Sequence, residues 1–388
     1  MLHPLKFPPD TREENESRIP FFEGWGCYCT RALPNTRRNR MTEFATTTEI
    51  VRAAKAALEP HAWDYIVGGS ETETALRRNR IAIESLAFRA RILRDVEHVD
   101  TATSLLGTKL RIPYILAPVG SLQDIHPTGT VGQVRGACAF GTLPVVSSVA
   151  APEVEESGAA APGDKWFQLY VRGDLDWIAE FVGRARKASF KALVLTVDTA
   201  HYSNRERQAS HNWKPEARRN AGGKNFQAQL DWKTVDKIRK LAKMPVIVKG
   251  IQTAEDATLA LKHGIDAVWV SNHGGRQLDH ARATLDILPE VVAAVRKRVP
   301  VIVDGGFTRG TDVIKAIALG ADVVAAGKMN AWALAAGGQE GVERMLELVR
   351  LEIETTMALL GVTKLKQLDS SYIARVDPGV GAGPFPLL

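Results

Sequence analysis

Side chains that exchange protons or bind anions recur in this chain at the ends of short apolar runs. The densest group is Ser271-Asn272-His273-Gly274-Gly275-Arg276, which sets an imidazole three residues before a guanidinium on a glycine-loosened turn. Imidazole is the side chain best placed to exchange a proton near neutrality. A guanidinium grips a carboxylate through two parallel hydrogen bonds. A lone pair of this kind is more often structural than functional, but further polar residues in equivalent places reverse that balance. Gln168 and Tyr170 close one apolar run, Thr196 and Asp198 a second, and Lys249 a third. Asp304-Gly305-Gly306 and Gly327-Lys328 add bare glycine amides and a cation at two more, a pattern suited to a phosphate.

These groups can act together only if the fold brings the run ends to one place. The runs are Ile112–Pro118, Pro144–Ser147, Phe167–Tyr170, Ala192–Asp198, Pro245–Lys249, Ala267–Ser271, Val299–Asp304 and Val323–Gly327. They alternate with helical stretches such as Ala254–His263 and Gly310–Leu319, which predicts a parallel sheet covered on both faces. Eight in succession predict a closed (β/α)8 barrel of the TIM class. All carboxyl ends then face one mouth, where converging polar groups must bond one another or a ligand. Ahead of the barrel, Ile50, Val51, Ala54, Ala57 and Leu58 mark one face of an amphipathic helix. The segment Trp63–Gly69 and a helix through about Ile83 complete a short N-terminal helical lead-in. The longest inter-strand stretch, Thr199 to Met244, belongs on the mouth side, and its Lys214 to Lys224 part reads as a solvated face.

Composition narrows the class. The chain has 388 residues, 45% of them hydrophobic, with 3 cysteines and a formal charge of +6. That apolar content excludes disordered and collagen-like classes. The mild charge is no nucleic-acid signature, and no apolar run reaches the length of a membrane span. Too few cysteines for a disulfide scaffold point to a reducing compartment, hence a cytoplasmic location. Residues 1–40 read as a poorly ordered extension, with 41–388 as the barrel domain. Within that extension Cys27 and Cys29 read as an adventitious pair, and no metal site is expected.

Taken in order, Phe167-Gln168-Leu169-Tyr170, Leu195-Thr196-Val197-Asp198-Thr199, Val248-Lys249-Gly250, Ser271 to Asp279 and Asp304-Gly305-Gly306 resemble the FMN-dependent α-hydroxy-acid oxidases and dehydrogenases. The match runs from about Thr47 to Ala374. The resemblance implies FMN as cofactor, oxidation of a 2-hydroxy acid to a 2-oxo acid by way of flavin N5, and oxygen or a quinone-like carrier as acceptor. It implies His273 as base, Asp198 stabilising the imidazolium, and Tyr170 near the substrate hydroxyl. Arg276, Arg205 and Tyr65 would hold the substrate carboxylate. Pro118, Val119, Gly120, Ser147, Gln168, Thr196, Lys249 and Ser271 would contact the flavin ring. Asp304 would take the ribityl chain, and Gly306, Thr308, Gly327 and Lys328 the phosphate. A homotetramer or octamer is also implied.

The chain departs from the family pattern in several places. Thr308 and Lys328 stand where arginines are usual, which predicts looser FMN binding. Val149 replaces a large aromatic residue and predicts a roomier substrate pocket. Gly120 replaces alanine, which predicts extra space beside the flavin. The segment after the fourth strand is shorter than usual. Two other readings are a barrel binding IMP, or a flavin-dependent isomerase, and a flavin-binding pseudoenzyme with a weakened phosphate site.

Overall fold

The computed structural model describes residues 44–219 and 225–377. Eight parallel strands form the sheet: β1 (Tyr114–Leu116), β2 (Val145–Ser147), β3 (Trp166–Leu169), β4 (Ala192–Thr196), β5 (Val246–Ile251), β6 (Ala267–Val270), β7 (Val301–Val303) and β8 (Val323–Ala326). Each of the eight apolar runs supplies one strand. The ends meet where β8 pairs with β1, Val324 opposite Tyr114. Between β1 and β2 the seam is a parallel bridge from Leu116 to Pro144, with the Leu116 N–H donating to the Leu143 carbonyl at 3.0 Å. The expected barrel is therefore present and nearly closed.

Side chains alternate along each strand, and the alternation divides the core in two. Ile115, Val145, Trp166, Val194, Ile247, Trp269, Ile302 and Ala325 fill the barrel interior, while Val146, Phe167, Leu193, Leu195, Val248 and Val270 pack under the surrounding helices. Continuing the interior series one step toward the carboxyl ends gives Ala117, Ser147, Gln168, Thr196, Lys249, Ser271, Asp304 and Gly327. An apolar plug thus carries a polar layer at the mouth.

Three helices precede the barrel: α1 (Thr47–Ala57), α2 (Pro60–Val67) and α3 (Thr74–Glu84). Thr46 caps α1, its hydroxyl accepting the Glu49 N–H, and Ile50, Val51 and Ala54 are buried. Ala57, expected on the buried face, is exposed at the end of the helix, while Leu58 packs against the core. The Trp63 segment is helical, with Pro60 at a first-turn position that needs no N–H donor. Among the described residues, no helix is long and apolar enough to cross a membrane. The expected Cys27 and Cys29 pair lies outside the described residues.

Candidate functional site

The polar layer at the barrel mouth is internally bonded on one side. Ser271 Oγ accepts from Lys249 Nζ at 2.8 Å and from the His273 N–H at 3.0 Å, and donates to Asp304 Oδ1 at 2.7 Å. Trp269 Nε1 donates to Asp304 Oδ2 at 3.0 Å, and Lys249 Nζ lies 3.1 Å from that oxygen. The other side is incomplete. Ser147 Oγ donates to Gln168 Oε1 at 2.7 Å, leaving Gln168 Nε2 and Thr196 Oγ1 buried with no partner. Each unmet buried group costs roughly 1–3 kcal/mol, so the layer is suited to a polar ligand laid across it.

His273 stands above this layer. Its φ of +59°, followed by +66° at Gly274 and +74° at Gly275, makes a left-handed turn that side-chain-bearing residues seldom adopt. Gly275 is required there, because a Cβ would lie 2.4 Å from the Leu76 backbone nitrogen. The turn aims His273 Nδ1 at Asp198 Oδ1, 2.9 Å away, and Nε2 at the Tyr170 hydroxyl, 3.3 Å away. The carboxylate fixes the Nδ1–H tautomer, so Nε2 keeps its lone pair and accepts from Tyr170. Gly250 lets Asp198 approach, since a Cβ at 250 would sit 2.8 Å from the Asp198 Cβ. Burial pushes the His273 imidazole below its ordinary value of 6.5 against the pull of Asp198. For Asp198 burial works upward, but His273 and Lys249 hold the carboxyl below its ordinary value. The resting pair is a neutral imidazole on a carboxylate, a base ready to receive a proton.

Two guanidiniums flank it. Arg276 Nη1 donates to the Ile66 and Gly68 carbonyls at 3.2 and 2.8 Å, at the C-terminal end of α2, and its guanidinium lies 5.1 Å from the centre of the Tyr65 ring. Arg205 donates to the Arg276 carbonyl and to Gln277 Oε1, both at 3.3 Å. Burial, then the charge of Arg205, lowers Arg276 to about 10. The Tyr65 hydroxyl donates to the Gly120 carbonyl at 3.1 Å. Like charges brought together beside a neutral base favour an anion between them.

At the far end, Gly305 and Gly306 have φ of +115° and +88°, and Lys328 opens the first of two helices that span Lys328–Leu359 and are separated by a kink at Gly337 and Gly338. Lys328 Nζ donates to the Val67 carbonyl, and burial followed by the charge of Arg276 pushes it well below its ordinary value. Thr308 turns toward Asp312, which accepts its N–H at 2.9 Å. Asp312 is paired with Arg80, whose Nη1 also donates to the Gly306 carbonyl at 3.1 Å. Sequence reading missed this buried cation beneath the glycine turn.

A cavity of about 570 Å³ unites these parts. Tyr65, Pro118, Val119, Gly120, Tyr170, Arg205, Lys249, His273, Arg276, Asp304, Gly306, Thr308, Gly327 and Lys328 line it, whereas Ser147, Gln168, Thr196, Asp198 and Ser271 stand behind that lining. The space expected beside Gly120 is partly filled, because Val149 Cγ2 lies 2.9 Å from where a Cβ would be. The solvated reading of Lys214 to Lys224 needs correction at Arg218, which is half-buried, lines the cavity and lies 3.4 Å from the Tyr202 ring centre. Lys214 and Arg219 are exposed as expected, and the part of that reading on 220–224 lies outside the described residues. Arg172, Tyr202 and Phe226 also line the cavity and carried no sequence signal.

The model of the FMN-dependent dehydrogenases matches residues 54–375. The chain belongs to that family. It is 40% identical over 354 residues to a glycolate oxidase of Spinacia oleracea, covering 86% of this chain and 96% of that protein. A peroxisomal (S)-2-hydroxyacid oxidase of Arabidopsis thaliana is 36% identical over 352 residues, covering 86% of this chain and 97% of its own. Among solved structures, a mandelate oxidase with 3,3-difluoro-2-hydroxy-3-phenylpropionic acid superposes with a TM-score of 0.78 at 37% identity, covering 84% of this chain and 97% of that one. The chain is thus an FMN-dependent oxidoreductase that oxidises a 2-hydroxy acid to the 2-oxo acid, and the isomerase, IMP-binding and pseudoenzyme readings are not favoured. The unpartnered Gln168 and Thr196 atoms fit a flavin ring laid on the polar layer.

Proposed function

We propose that His273 is the base of this oxidation and that the substrate sits between it and the paired arginines. The observation carrying this reading is the His273 imidazole held between Asp198 and Tyr170 in the same cavity as Arg205 and Arg276. Bound FMN supplies the acceptor for the two electrons the substrate gives up. Gln168, Thr196, Ser147, Ser271 and Lys249, with the backbone of Pro118 to Gly120, would hold its ring. Asp304 would hold its ribityl chain, and Gly306, Thr308, Gly327 and Lys328 its phosphate, with Lys328 released from the end of α2. Arg276, Arg205 and Tyr65 bind the substrate carboxylate and so fix which hydrogen faces the imidazole. His273 Nε2 takes one of the two hydrogens the substrate loses as a proton, the other leaving with the electron pair, and Asp198 stabilises the resulting imidazolium. Tyr170 orients the substrate hydroxyl.

Relatives named as oxidases support oxygen as the electron acceptor, with a quinone-like carrier as the competing choice. The low cysteine count supports a cytoplasmic location and the family resemblance a homotetramer or octamer, checked by microscopy against a peroxisomal marker and by light scattering. The decisive variant is His273→Gln. Flavin content should be unchanged while anaerobic flavin reduction falls by about 100-fold or more, the usual worth of a general base. Retained flavin with reduction within threefold of wild type would remove His273 from this role.

A further inference from the structure

We infer that the substrate carries a second carboxylate on its side chain, bound by Arg218 and Arg172 beside the site of the first. The inference rests on the oxidation proposed above and names the substrate class. The cavity wall carries Arg172, Arg205, Arg218, Lys249, Arg276 and Lys328, and its only acid among the described residues is Asp304. Lys249 answers Asp304, Lys328 stands at the phosphate end, and Arg205 with Arg276 answer one substrate carboxylate. Arg218 and Arg172 add two further positive charges to the same wall, beyond what one carboxylate and one phosphate require.

The placement is built. Arg218 is half-buried, whereas Arg219 beside it is exposed. Residues on either side of it in sequence are tied down. Before it, Gln123 Nε2 donates to Glu216 Oε2 and the Glu216 N–H donates to Asp124 Oδ2, both at 2.8 Å. After it, Gln227 Nε2 donates to the Thr196 carbonyl at 2.6 Å and its Oε1 accepts the Val171 N–H at 2.8 Å. The Gln227 bonds reach the ends of β3 and β4, beside Tyr170 and Arg172. The Arg218 and Arg205 guanidiniums both approach the Tyr202 ring, at 3.4 and 4.4 Å from its centre, so the two anion sites neighbour one another at this ring. Cations set this way suit the two ends of a diacid a few carbons long, each guanidinium taking a carboxylate through paired hydrogen bonds. Burial, then the charge of Arg218, lowers Arg172, as expected of two cations crowded together at one wall.

The test compares 2-hydroxyglutarate with 2-hydroxypentanoate, matched in length and differing in the terminal carboxylate, by the second-order rate of anaerobic flavin reduction in the full-length holoenzyme. The diacid should be preferred about tenfold or more, with the preference shrinking as salt rises. Arg218→Gln and Arg172→Gln should each pull the ratio of the two rates toward one. A wild-type ratio of one or less, or a ratio that neither variant moves, overturns the inference while leaving the oxidation intact. Should neither acid reduce the flavin, the oxidation reading fails for this pair and the subsite is read by binding. Perturbation of the flavin spectrum by glutarate at lower concentration than by pentanoate, lost in Arg218→Gln, then supports the subsite, and equal binding overturns it.

Discussion

Replacing Asp198 by asparagine isolates the electrostatic half of the proton transfer. The side chain is isosteric, and its amide oxygen can still accept the His273 Nδ1–H now made at 2.9 Å. What disappears is a buried negative charge against an imidazolium that forms only during the reaction. Two unit charges about 4 Å apart attract by about 4 kcal/mol at the effective dielectric of a protein site. Partial charge development in the transition state and adjustment of Lys249 reduce that to roughly 3–4 kcal/mol with the hydrogen bond included. A loss of that size is roughly a 100- to 1000-fold slower flavin reduction. Asp198 also pulls the His273 pKa upward, so its removal moves the acid limb of the rate profile to lower pH. The assay is anaerobic stopped-flow reduction across pH, which separates the limiting rate from substrate affinity. A variant within threefold of wild type, or an acid limb moved to higher pH, would refute the reasoning.

Four further outcomes follow from the same geometry. Wild-type kcat/KM should rise with pH through a limb below 6.5, because His273 accepts a proton only when neutral and burial lowers its pKa. It should fall above about 10, where Arg276 loses the charge that holds the carboxylate; a flat profile across both limbs would count against these assignments. Arg80→Met strands Asp312, whose side chain is 2% exposed, and should cost about 3–5 kcal/mol, read as a lower midpoint in urea. Gly120→Ala drives a Cβ to 2.9 Å from Val149 Cγ2 and should cost about 1–3 kcal/mol, recovered by adding Val149→Ala. Lys328→Arg should tighten FMN, measured by recovery of free-flavin fluorescence on dilution, because a planar fork grips phosphate better than a point charge.

The barrel was legible because its strands are buried on both faces and read as unbroken apolar runs. The polar layer was legible for a related reason: alternation carries Gln168, Thr196, Lys249, Ser271 and Asp304 inward just where the apolar series ends. His273 and Arg276 announced themselves by sharing one glycine turn. Arg80 did not, since its partners Asp312 and Gly306 come from the far end of the chain and only the closed barrel joins them. The carbonyls at the end of α2 that hold Arg276 and Lys328 were equally hidden, because backbone acceptors leave no mark in a sequence. Arg218 was read as solvated because it stands in a polar, basic run from Lys214 to Lys224, and the bonds that hold its surroundings against the barrel run through Glu216 and Gln227.

The most direct measurement is anaerobic mixing of the wild-type holoenzyme with 2-hydroxy acids, following flavin absorbance and product together. Bleaching of the flavin with one 2-oxo acid formed per flavin, slowed by about 100-fold or more in His273→Gln at equal flavin content, is the predicted result. Flavin that no 2-hydroxy acid bleaches, or bleaching indifferent to His273, would contradict the account.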